Sequence, residues 1–161
     1  MNTTDTSQEQ KQGILQFGLN MMVKHHLHPI SVHVPNGMLP FTVIFIVLAT
    51  VFDLDILYKV SFINMAAIVL TLPIVLFTGI VEWQKKYGGK LTKIFKQKII
   101  SAIAVTILTV VLLVWGVIYP VNSNAPSIIR YSFALTALIL LIPAAIAGNI
   151  GGKLVFKEFG K

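Results

Sequence analysis

Four long apolar stretches, each about as long as a bilayer is thick, decide what this 161-residue chain can fold into. A hydrocarbon core of about 30 Å takes roughly 20 residues of helix, and the segments 29–52, 60–82, 92–119 and 126–152 each hold a run of that length. Lipid offers backbone N–H and C=O groups no partner. A run this long, without alternation of apolar and polar residues, is therefore a helix and not a barrel strand. The composition agrees, with 55% hydrophobic and 12% charged residues and a mean hydropathy of +0.80. The expectation is an all-α integral membrane protein.

Short connections between the runs force each helix antiparallel to the one before it, which predicts an up-down four-helix bundle over 29–156. Pro126 suits a first helical turn, whereas Pro73 and Pro143 fall inside helices and should bend them. Eleven of the 13 Lys and Arg residues lie in the N-terminal segment, the second connection and the C-terminal tail, and only Lys59 and Arg130 lie on the other side, beside Asp53 and Asp55. The positive-inside rule then places both termini in the cytoplasm. Residues 1–12 contain no basic stretch followed by an apolar core, so insertion is expected to rely on the first membrane helix. Segment 1–28 forms a cytoplasmic or interfacial lead, in which Ile14, Leu15, Phe17, Leu19, Met21, Met22 and Val23 sketch a short helix lying on the membrane surface. Residues 157–161 form a cytoplasmic tail.

The net charge of +7 is concentrated beside the membrane, at Lys85, Lys86, Lys90, Lys93, Lys96 and Lys98. Anionic headgroups account for it and nucleic acid is not needed. The chain has no cysteine, which excludes disulfides, thiolate metal sites and a cysteine nucleophile. No nucleophile with a matching base, no phosphate-binding loop and no carboxylate pair is visible, so no catalytic residue is assigned. Glu82 is the one acidic residue within the helices, which argues against a charged pathway across the bilayer.

Chemistry concentrates at the entrance to the first helix. All four histidines, His25, His26, His28 and His33, fall within nine residues. Imidazole titrates near neutrality and is the commonest side-chain metal ligand. His28 precedes Pro29 and is expected at a hinge, with His33 one turn into the helix and Gly37 four residues beyond it on the same face. Two uses fit that spacing: an axial nitrogen beside a glycine surface for a flat macrocycle such as haem b, or plain helix packing. His28, His33 and Glu82 also make a two-imidazole, one-carboxylate set for a transition metal. His28 and His33 cannot flank one haem from opposite sides, so a second ligand has to come from elsewhere, with Lys98 a candidate. In the fourth helix Ala144, Gly148 and Gly152 form a small-residue ridge that admits either a neighbouring helix or a flat cofactor.

Three strings, His28-Pro29-x-x-Val32-His33-x-Pro35, Gly79-x-x-Glu82-Trp83 and Gly151-Gly152-x-Leu154-Val155-Phe156, occur in this order. Together they resemble the bacterial membrane family known as domain of unknown function 2231, over residues 27–156. The resemblance implies a four-helix protein of the cytoplasmic membrane, with family members that look like haem or metal binders through two histidines in the first helix and one early in the third. His28 and His33 match the first pair. The third-helix position, near Lys98, holds no histidine, and Glu82 stands where the family pattern has aspartate. Two functions follow as expectations: a membrane-embedded redox or electron-transfer protein with haem or a metal ion at the cytoplasmic end, or a cofactor-free structural or assembly subunit. Other membrane subunits or a second copy of the chain are the protein partners expected.

Overall fold

The computed structural model describes residues 3–159, and the side chains of residues 12–154. It is all-helical: α1 spans Thr3–Lys24, α2 Leu27–Phe52, α3 Asp55–Tyr87, α4 Lys93–Ile118 and α5 Ser127–Phe159, with no strand among the described residues. α2 to α5 are each long and apolar enough to cross a membrane. α2 packs on α3, α3 on α4, α4 on α5, and α5 back on α2, while α1 leans on α2 and α3. Among the described residues the backbones of α2 and α4, and of α3 and α5, do not approach closely, so the four apolar helices close into a ring.

The helix starts and stops differ from expectation in ways the backbone explains. Helix α2 begins at Leu27 and not after a hinge at Pro29, because the break lies at His26, in the left-handed region with φ 52° and ψ 39°. Pro29 then occupies the third helical position, where its missing N–H has no intrahelical acceptor. His28 is thereby helical despite preceding a proline. Helix α3 starts at Asp55 and not near residue 60: Asp53 is left-handed at φ 55°, its N–H and that of Leu54 both bond to the Ala49 carbonyl, and two residues suffice for the reversal. At its other end α3 continues to Tyr87 and stops at Gly88, with φ 62°. Thr92 caps α4 by accepting the Phe95 N–H at 3.5 Å. α5 runs through Gly151 and Gly152 to Phe159, so most of the expected tail is helical; Gly160 and Lys161, and the side chains of Val155 and Phe156, lie outside the described residues. The N-terminal helix is longer than the short one expected, with 22 residues.

Lipid removes the hydrophobic drive between membrane helices, so close packing has to hold the ring together. Ile46, Met65, Ile68 and Leu112 are fully buried at its centre, with Ala134 and Ala137 of α5 bringing that helix close. Gly116 serves the α3–α4 contact: a Cβ there would stand 3.2 Å from the Phe62 ring. Buried hydroxyls spend their protons locally, Thr42, Thr50, Ser61 and Thr109 each donating to the carbonyl four residues back at 2.7–2.8 Å. The lysine-poor end is tied by side chains. Arg130 at the start of α5 pairs with Asp53, and Asp55 accepts both the Ser123 N–H at 2.7 Å and its hydroxyl at 3.1 Å.

Candidate functional site

His28 lies on the face of α2 that packs against α3, and its ring rests on Gly79. A Cβ at that glycine would stand 2.9 Å from the imidazole Cε1 and 3.3 Å from Nδ1, inside the 3.5–4.0 Å of ordinary carbon contacts. Only glycine lets the ring lie against the α3 backbone. From there Nδ1 is 3.2 Å from the Thr78 hydroxyl and Nε2 is 3.4 Å from Lys98 Nζ, which reaches across from α4. A lysine ammonium can only donate, so Nε2 accepts and Nδ1 carries the ring proton, which it donates to Thr78. Thr78 passes its own proton to the Ile74 carbonyl at 2.8 Å. The Ser31 hydroxyl, 3.1 Å from Thr78 Oγ1, donates to the His28 carbonyl at 3.0 Å. A directed chain of hydrogen bonds thus joins α4, α2 and α3.

Glu82, one turn beyond Thr78, interacts electrostatically with both His28 and Lys98 and pairs with Lys86 at 3.5 Å. Above this level Phe95 packs on Tyr87 and Trp83, with ring centroids 4.8 and 6.5 Å away, and the Trp83 indole donates to the Lys90 carbonyl. The polar cluster therefore lies beneath an aromatic cover. The cavity beside it is small, ≈ 10 Å³, and is lined by Met22, Val23, His26, Thr78, Val81 and Glu82 among others.

The remaining expected site residues do not converge here. His33 lies five residues after His28 on a continuous helix, about 140° round the axis, on the outward side. It is exposed, and its Nδ1 donates to the Pro29 carbonyl at 2.7 Å. His28, His33 and Glu82 therefore do not form one ligand set, and among the described residues no three histidine or acidic side chains come together. Gly37 shares the outward face of His33, with nothing within 4 Å of its Cβ position. Gly148 and Gly152 likewise have nothing within 4 Å of their Cβ positions, whereas Ala144 of the same ridge packs against the core. His25 and His26 are exposed. Thr78 and Ser31 escaped the sequence analysis, as did the role of Gly79. A hydroxyl–glycine pair one turn before Glu82 was the available signal for a close approach.

A relative from Archaeoglobus fulgidus, itself an uncharacterized protein, is 30% identical over 91 residues, which is 56% of this chain and 71% of the relative. No solved structure matches the chain. The match to a family model extends across all four apolar helices, His28, Gly79 and Lys98 included, and on that ground the chain belongs to the family described as predicted membrane protein DUF2231, over residues 24–159.

Proposed function

We propose that the protein is an up-down four-helix bundle of the bacterial cytoplasmic membrane, with both termini inside, whose His28–Lys98 pair holds a transition-metal ion for electron transfer or redox sensing. The observation that supports this is the pair itself. Two nitrogens from different helices face each other at 3.4 Å inside an apolar assembly, where ionisable groups are costly and mark function. Ligand nitrogens about 2.05 Å from a tetrahedral ion stand roughly 3.4 Å apart, so a single ion matches the spacing of this pair. Glu82 supplies an acidic group in electrostatic reach of both nitrogens. Haem b does not match: the ≈ 10 Å³ cavity has room for about one water molecule, far below the roughly 300–1,000 Å³ of sites that enclose small organic ligands. The ion would supply one-electron chemistry. The chain's role is to orient His28 through Gly79 and Thr78 and to release the Lys98 proton on binding.

Metal analysis and titration of the detergent-purified protein test this. Stoichiometric binding that is lost in His28→Ala and Lys98→Met, and retained in His33→Ala, is the expected result. Protein that binds no copper, iron or nickel, or binds only redox-inert zinc, would overturn it. The second reading, a cofactor-free structural subunit, is favoured by one specific observation: the chain from Lys98 through His28 to Thr78 is already complete as a hydrogen-bond network. On that reading Lys98→Met lowers thermal stability with no metal to lose, and gentle solubilisation gives a larger assembly on native electrophoresis.

In the same proposal α1 lies in the membrane interface. Its Leu19, Met22 and Val23 side is partly buried, while Ile14 and Phe17, both 67% exposed, lie on the other side. Lys85, Lys90, Lys93 and Lys96 at the same end of the ring meet anionic headgroups, each contributing about 1 kcal/mol.

A further inference from the structure

α2 packs on its neighbours through Pro35, Leu39, Val43 and Ile46, and the opposite face, through His33, Gly37, Ile44 and Val51, is exposed. That outward face carries polar groups which the ring leaves unmatched. The His33 Nδ1 proton goes to Pro29, so Nε2 points outward as an acceptor. The side chain of Asn36, one turn on and exposed, has no hydrogen bond to any other described residue. Pro40, also exposed, has no N–H, so the Asn36 backbone carbonyl lacks its ordinary helical donor. Asn36 lies roughly 12 Å further along α2 than His28, well beneath the aromatic cover of Trp83, Tyr87 and Phe95. Lipid chains offer no hydrogen-bonding groups there, and unmatched ones are costly.

We infer that this face of α2 is the contact surface for a second copy of the chain, related to the first by a two-fold axis. The argument is chemical complementarity. The Asn36 amide supplies two donors, while His33 Nε2 and the Asn36 carbonyl supply acceptors, so the patch matches itself. A two-fold arrangement gives each copy's amide an acceptor on the other copy in a reciprocal pair. Gly37, with nothing within 4 Å of its Cβ position, lets the two helix backbones come close. Lipid alone satisfies none of these groups. The inference does not rest on metal binding, since His28 and Lys98 lie on the inner side of the ring.

The chain has no cysteine, so one introduced thiol reports on its own position. Full-length Ile44→Cys, on the same outward stripe, and Leu70→Cys, 78% exposed on α3, are oxidised in membrane vesicles at several lipid dilutions. Disulfide-linked dimer is expected from Ile44→Cys and not from Leu70→Cys. Adding Asn36→Leu should cut the cross-linked fraction about fivefold, and adding Gly37→Ile should do so sterically. Equal cross-linking from the two thiols, or an Ile44→Cys dimer that neither second substitution weakens, overturns the inference. Metal titration of Asn36→Leu keeps the two proposals apart, because its metal binding should be unchanged.

Discussion

At the scale of single residues, Gly79 sets the position of His28. Its missing side chain leaves the space in which the imidazole lies, and a methyl group there meets Cε1 at 2.9 Å. Gly79→Ala is expected to cost about 1–3 kcal/mol by over-packing, read as a lower melting temperature. Gly37→Ala, where nothing stands within 4 Å, should leave monomer stability nearly unchanged. The string Gly79-x-x-Glu82-Trp83 was visible in the sequence, but the reason for its glycine was not, because the atom it accommodates is 51 positions away. The separation of His28 from His33 followed from helical spacing alone once no hinge stood between them. Placing the break at Pro29 concealed it.

At the scale of helices, both left-handed residues outside glycine, His26 and Asp53, occupy turns that end one helix and begin another. A side chain in that region costs roughly 1–2 kcal/mol, and glycine does not bear that cost. His26→Gly should therefore hold or raise the melting temperature, while the β-branched His26→Val should lower it and increase proteolysis between α1 and α2. The apolar runs were legible because lipid demands length. The helix ends were not, since α3 and α5 extend through polar residues beyond any hydropathy signal and stop where caps and left-handed residues allow. The Asp53–Arg130 and Asp55–Ser123 ties were equally hidden, because they join loops 68 to 77 residues apart. Asp53→Ala is expected to cost about 1 kcal/mol, moderated by solvent because Asp53 is 60% exposed.

At the scale of the whole molecule, charge asymmetry predicts orientation and the absence of cysteine makes it measurable. Lys90→Cys should react with a membrane-impermeant maleimide only from the cytoplasmic side, and Asn124→Cys, in the α4–α5 connection, only from the other. Reversed labelling would invert the assignment of both ends. The ring has unlike ends: Asp53 and Asp55 tie the lysine-poor end through exposed carboxylates, while the His28 end is joined by half-buried hydrogen bonds to Thr78 and Lys98 and by the aromatic contacts of Phe95. Salt should therefore weaken the two ends unequally, screening the exposed carboxylates of the Asp53 end well before it reaches the half-buried imidazole seated on Gly79.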